Sequence, residues 1–329
     1  MKIIISRTDA IGDVILTLPL AGLIKQKVPQ STIIFLAKSY TIPVIQCCKN
    51  IDKIINYSEL ETLNINSSAK ILSEYEADII LHVFPDKKIA KLSKMAKIPK
   101  RIGTRNRLYH WNSCTNLINI SRKNSLLHES QLNLKFIEFF GFDSNLTLSE
   151  ISELYNFNPP KESPVKLSSN KKNIILHPKS AGSAREWGIN NFNKLVSILP
   201  KDRFNFFITG TNTEKKHIEE EFDFSPTNTF NLLGKLNLTQ LISFIYNCDA
   251  LVAASTGPLH IASAAGIHAI GLFPPIRPMD ARRWAPVGKK SKYFTKDIKC
   301  SKCRTSNICT CMHEISPEDI AEYVLSIFN

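Results

Sequence analysis

The chain runs twice through one alternation: a short apolar run, a turn rich in small or polar residues, then a stretch with helical spacing. Lys2–Ser6 is apolar almost throughout, as a strand covered on both faces of a parallel sheet must be. The pattern predicts a helix over 13–28 with a kink at Pro19, a strand over 32–36 and a helix over 40–48. A strand at Lys53–Asn56, a helix over 67–74 and a strand over 78–83 follow, then a longer helix over 128–140 that stops at Gly141. Residues 158–170 are rich in proline and serine and read as a linker. Beyond them the alternation restarts. Strands are expected at 173–177, 204–209, 229–233, 250–253 and 269–273, the last closing the sheet, with helices at 191–199, 214–222, 239–247 and 258–265 between them. This is an α/β pattern. It implies two doubly wound parallel domains, residues 1–160 and 161–329, facing across a cleft. Ligands of such sheets bind beyond the carboxyl ends of the strands, so the loops after the strands should carry the chemistry.

The 329 residues, 43% hydrophobic and 22% charged, describe an ordinary globular chain with room for a sizeable core. The formal net charge of +13 favours an anionic partner: nucleic acid, an anionic membrane surface or a phosphorylated substrate. The basic runs within 87–107 carry no interleaved aromatic pattern for base stacking, and no nucleic-acid-binding signature occurs, so no nucleic acid partner is expected. The first residues are too short an apolar run for a secretion signal, and the apolar window 251–275 is broken by Gly, His and Pro. The expected location is the cytoplasm, with salt-reversible contact to the inner face of the membrane through residues 87–107. Each basic residue at such a surface contributes on the order of 1 kcal/mol. Cys300, Cys303, Cys309 and Cys311 have spacing that could hold zinc, but the hairpin is cramped, and reduced thiols without a metal are the expectation.

Four loops stand out. After the first strand, Arg7 leads into Gly12 and Asp13, where the carboxylate is either chemical or an N-cap. After the strand at 173–177, the segment 177–187 gathers Ser180, Gly182, Ser183 and Arg185 as a phosphate would require. Gly210-Thr211-Asn212-Thr213-Glu214 sets an acid at a helix start, where it either holds ribose hydroxyls or serves as a dipole-favoured cap. Ser255-Thr256-Gly257-Pro258-Leu259-His260 joins strand to helix and offers hydroxyls and backbone N–H groups to one point. Pro258 suits the first helical position, and a well-capped turn that binds nothing uses the same residues.

Taken in order, Ile11-Gly12-Asp13-Val14-Ile15-Leu16-Thr17-Leu18-Pro19, the stretch from His177 to Trp187, Ser255 to Ala262 and Arg283-Trp284-Ala285-Pro286-Val287-Gly288 resemble the ADP-heptose:lipopolysaccharide heptosyltransferases, glycosyltransferase family 9. Arg101-Ile102-Gly103, His128-Glu129 and the segment ending at Cys311-Met312 extend the resemblance over nearly the whole chain. Lys179 stands where many members have glycine, and Ser255 where many have an acid. The resemblance implies the GT-B fold, two Rossmann-like domains with acceptor bound to the first and the nucleotide sugar to the second. It implies an inverting transfer of heptose from ADP-heptose to a lipopolysaccharide core acceptor without a metal or other cofactor. Asp13 would be the general base. Ser180, Ser183, Arg185, Ser255, Thr256, Gly257, Pro258, Leu259 and His260 would hold the diphosphate, and Glu214 the ribose. Arg7, Gly12 and Arg101 would bind the acceptor. A sugar-nucleotide epimerase or hydrolase on the same scaffold, a transferase of another nucleotide sugar, and a non-catalytic binder of anions are the competing readings.

Overall fold

The computed structural model describes residues 1–122, 125–296, 298 and 310–329. It divides into two compact units, Met1–Asn158 and Pro159–Asn329. The first holds six strands: β1 (Lys2–Ser6), β2 (Thr32–Ala37), β3 (Lys53–Asn56), β4 (Ile79–His82), β5 (Lys100–Thr104) and β6 (Asn116–Ile118). They form one parallel sheet in the order β3-β2-β1-β4-β5-β6. The second unit repeats the design with β7 (Lys172–His177), β8 (Phe204–Ile208), β9 (Thr229–Asn231), β10 (Ala250–Ala254), β11 (His268–Leu272) and β12 (Ser291–Phe294). Their order is β12-β11-β10-β7-β8-β9, again all parallel.

The central strands are the most apolar because helices cover both faces of each sheet. Ile3, Ile4 and Ile5 of β1 are fully buried, and each such side chain contributes about 1.5–3 kcal/mol relative to exposure. In the second unit Trp187, Phe192, Phe204 and Phe206 centre the core. The Trp187 indole N–H donates to the Ile315 carbonyl at 2.9 Å, tying the loop after β7 to the C-terminal segment. In both sheets the chain winds outward in two directions from a central pair, β1 beside β4 and β7 beside β10. Loops leaving that pair diverge, which opens a crevice at the carboxyl edge.

Several elements differ from the sequence expectation. The helix expected over 13–28 is two helices, Ile11–Ile15 and Leu18–Lys27, because Pro19 has no N–H and would crowd the carbonyl one turn back. Pro19 therefore starts a helix rather than kinking one. The 128–140 helix is α-helical only over Glu129–Leu134 and tightens to a 3₁₀ helix over Lys135–Phe140. It stops as expected at Gly141, whose φ of +82° suits a residue without Cβ. Strands β5, β6 and β12 were not anticipated. β5 begins Lys-Arg and β6 is three residues long, while β12 reads Ser-Lys-Tyr-Phe at a sheet edge, where lysine is ordinary.

Candidate functional site

The loop after β1 carries the densest charge cluster of the first unit. Arg7 follows the last residue of β1, and its backbone N–H still bonds the Leu36 carbonyl at 3.1 Å. Its guanidinium is the hub, only 2% of the residue being exposed. It reaches Asp9 at 2.7 Å, Glu129 at 3.2 Å and the side-chain oxygen of Asn133 at 3.2 Å, and it bonds the Asp13 carboxylate. Arg122 joins the same group, bonding Glu129 at 2.8 Å and Asn133 at 3.1 Å. Asn133 in turn donates to the Leu16 carbonyl and to Thr17 Oγ1, both at 3.1 Å. Tyr40 closes the rim, its hydroxyl donating to the Asp9 carbonyl at 2.6 Å.

Asp13 is the third residue of the helix Ile11–Ile15, with Gly12 before it, and the N-cap is Ala10, so the capping alternative does not hold. Burial pushes its carboxyl up to about 6; Asp9 and Glu129 add to this, and Arg7 opposes it without cancelling it. Arg7 is held more firmly protonated than usual: burial favours loss of its proton, but the three carboxylates outweigh burial. A carboxylate oriented by a buried cation and poised near neutrality is suited to accepting a proton.

Two residues expected on the acceptor side are engaged by partners within the first unit. Arg7 is enclosed by its own partners, so it orients Asp13 rather than offering a free cation. Arg101 pairs with Ile80 in the sheet, level with Ile4, three residues short of Arg7 and so about 10 Å along the strand direction. Its Nε bonds the Ser113 carbonyl at 2.7 Å and its Nη1 the Ile98 carbonyl, so it fastens the ends of neighbouring elements. Asp9, Arg122 and Asn133 were missed by sequence reasoning. Only Asp9, two residues from Arg7, had a local signal.

In the second unit three loops converge by register. Ala253 pairs with His177 and Leu176 with Ile208, so the residues after β10, β7 and β8 leave the sheet side by side. After β10, Thr256 is the N-cap of the helix Gly257–Ala264, yet its side chain makes no capping bond. Thr256 is 5% exposed, and its Oγ1 has no hydrogen-bond partner among the described residues. The helix begins at Gly257, placing Pro258 second rather than first. Leu259 is buried in the core, leaving only its backbone for a ligand, and His260 is nearly as buried. Ser255 is half-buried at the rim.

The loop after β7 is braced from within. Glu186, whose role the sequence did not suggest, accepts from the Ser180 N–H at 3.1 Å, from the Ser180 hydroxyl at 3.2 Å and from Lys179 at 3.0 Å. Ser183 donates to the Ser180 carbonyl at 2.7 Å, and Ala181 and Gly182 both take left-handed conformations to complete the turn. Arg185 is half-buried beside them. Glu214 realises the capping alternative: Oε2 accepts from the Thr211 N–H and hydroxyl at 2.8 Å, while Oε1 accepts from the Ala181 N–H at 3.0 Å. Burial alone would raise its carboxyl, but those donors and nearby His177 hold it below the usual range. His177 is pushed down to about 4 by burial, so it is neutral, and its Nδ1 lies 2.9 Å from Thr209 Oγ1.

Of the four cysteines considered for zinc, Cys300, Cys303 and Cys309 lie outside the described residues, and Cys311 is buried in the helix Thr310–His313. Among the described residues no helix is long and apolar enough to cross a membrane.

The family model for glycosyltransferase family 9 (heptosyltransferase) matches residues 65–313. A putative glycosyltransferase of Haemophilus influenzae is 24% identical over 317 residues, covering 89% of this chain and 88% of its own. The lipopolysaccharide core heptosyltransferase OpsX of the same organism is 24% identical over 280 residues, covering 82% and 78%. Among solved structures, the ADP-heptose lipopolysaccharide heptosyltransferase II of E. coli superposes with a TM-score of 0.77 at 18% identity, covering 100% of this chain and 98% of that one. A family 9 glycosyl transferase of Veillonella parvula gives 0.78 at 16% identity, covering 99% and 97%. These structural likenesses establish the GT-B architecture, two Rossmann-like α/β units, as the sequence led us to expect. With the family model spanning most of both units, the chain belongs to glycosyltransferase family 9, the heptosyltransferase family.

Proposed function

We propose that this glycosyltransferase moves a heptose, with inversion, from ADP-heptose to the inner core of lipopolysaccharide, on a Kdo- or heptose-bearing lipid A acceptor. The names of the relatives support the donor and acceptor classes. The observation that carries the chemistry is Asp13, oriented by buried Arg7 and raised to about 6. Its carboxylate takes the proton of the acceptor hydroxyl as that oxygen attacks the anomeric carbon. The bond from that carbon to the phosphate oxygen breaks, and ADP leaves with the electron pair. The leaving diphosphate needs positive charge and N–H donors rather than a proton. Arg185, the Thr256 hydroxyl, His260 and the N–H groups of Gly257 and Leu259 are the groups assigned to it, with Ser255 and Pro258 shaping the turn. Glu214 and Glu186 brace the facing loop that carries Ser180 and Ser183. No metal has a part in this scheme, and the enzyme would work in the cytoplasm, peripherally bound to the anionic face of the inner membrane.

Incubation with ADP-heptose and a truncated lipopolysaccharide acceptor should yield a product heavier by one heptose, with EDTA present or absent. Release of free heptose without acceptor, or a changed sugar nucleotide, would instead identify a hydrolase or an epimerase.

Thr256→Val separates binding from folding. The buried hydroxyl has no partner among the described residues, so replacing it with a methyl should leave the melting temperature unchanged or higher. ADP affinity should fall by roughly three- to tenfold, the scale of one net hydrogen bond of about 0.5–1.5 kcal/mol. Unchanged affinity by calorimetry would remove Thr256 from the diphosphate site.

A further inference from the structure

From Lys87 to His128 the chain contains eleven lysines and arginines and no aspartate or glutamate. The structure adds what sequence did not show, an apolar tip within that basic stretch. On the helix Leu108–Ser113, Leu108 is 87% exposed and Trp111 is 58% exposed, three residues apart and so on one face. The indole N–H donates to the Arg105 carbonyl at 3.0 Å, which satisfies its polar edge and leaves the ring outward. His110 and Ser113, on the other side, are buried and anchor the helix. Lys94 donates to the Asn112 carbonyl at 2.8 Å, joining this helix to Lys87–Met95. That second helix buries Ile89, Ala90, Leu92 and Ser93 and leaves Lys87, Lys88, Lys91 and Lys94 exposed. Arg105 and Arg107, also exposed, immediately precede Leu108.

We infer that Leu108 and Trp111, on a helix packed beside these lysines and preceded by these arginines, form a docking surface for an anionic lipid bilayer, with the two apolar side chains inserted into its interface. Interfacial anchors combine an apolar face with surrounding cations, and tryptophan is favoured at the depth of the headgroups. Water would otherwise meet two large apolar groups at the most basic part of the chain. The inference rests on the membrane contact proposed above and changes its character: charge brings the surface to the bilayer, and insertion holds it there when salt screens the charge. The helix also leaves the carboxyl end of β5, two strands from β1 and so about 10 Å across the sheet edge from which Asp13 projects. Docking there brings a lipid-anchored sugar to the edge that carries the base.

The test is sedimentation of the full chain with vesicles of phosphatidylethanolamine and phosphatidylglycerol, and with phosphatidylcholine alone, at 0.1 M and 1 M salt. The intact protein should pellet with the anionic vesicles, bind more weakly but measurably at high salt, and leave phosphatidylcholine largely free. Leu108→Ser with Trp111→Ser should lower the anionic-vesicle affinity about tenfold or more at 0.1 M salt and abolish the high-salt fraction. Lys88→Gln with Lys91→Gln should weaken the low-salt binding and spare the high-salt remainder. Brominated lipid should quench the fluorescence of the intact protein, and Trp111→Phe should remove that quenching while keeping the binding. Equal pelleting of the doubly serine-substituted protein, or no quenching in the intact one, overturns the proposal. So does a chain that shifts an RNA oligomer and ignores vesicles. Transfer to a short-chain, detergent-dispersed acceptor should be the same in the serine variant as in the intact enzyme. Failure of transfer in the intact enzyme with vesicle binding retained would count against the heptosyl-transfer reading and leave this one standing.

Discussion

Asp13→Asn is expected to lower turnover by roughly 10²- to 10⁴-fold, the span of a lost general base, with ADP affinity held within about twofold. The asparagine keeps an oxygen for Arg7, so orientation survives while proton acceptance is lost. Because burial, with Asp9 and Glu129, raises the Asp13 carboxyl to about 6, the intact enzyme should lose rate about tenfold per pH unit below that value and level off above it. The variant should lack this limb. Stability supplies an independent check on the sign. A carboxyl raised on folding binds more protons in the folded state, so its contribution is full below about pH 4 and is lost as pH rises through 6. The asparagine variant should therefore melt no lower than the intact protein at pH 8. Near-normal turnover with saturating donor would return Asp13 to a structural role.

The second large effect belongs to Arg7. Removing its guanidinium, as in Arg7→Met, leaves Asp9, Asp13 and fully buried Glu129 clustered without their central cation. Breaking a buried pair by deleting one partner costs about 3–5 kcal/mol, and denaturant unfolding should show a loss of that order. Arg7→Lys should recover part of the stability but little of the turnover, since an ammonium cannot span four acceptors as a planar fork does. In that variant the acid limb of the rate should move above its position in the intact enzyme, because Asp13 loses its best-placed counter-charge. A loss below about 1 kcal/mol in Arg7→Met, or an unmoved limb in Arg7→Lys, would show that Asp13 does not depend on the cluster.

The repeated alternation of apolar runs and helices was enough to read nine of the twelve described strands and their parallel arrangement, and the post-strand loops at Arg7–Asp13, 177–187, 210–214 and 255–260 were legible for the same reason. Local pattern reports strand, turn and helix because the periodicities and the turn residues are short-range properties. It failed where the signal was short or contradictory, as at Lys-Arg-opening β5, three-residue β6 and edge strand β12. What Arg7 does was beyond it. Its partners Glu129 and Asn133 lie more than 120 residues away, and a free cation and a buried hub look alike in one dimension. The same holds for Arg101, whose basic charge is visible in the chain while its hydrogen bonds to carbonyls are not. For Asp13 and Glu214, cap or chemistry was an open choice in sequence, and their tertiary surroundings differ: Asp13 is the third residue of its helix and bonds buried Arg7, with Ala10 at the N-cap, while Glu214 completes a capping box with Thr211. Net charge could likewise be counted, but the outward turn of Leu108 and Trp111 could not. Which atoms meet, and which face water, depends on contacts between distant segments, and those form only when the sheets assemble.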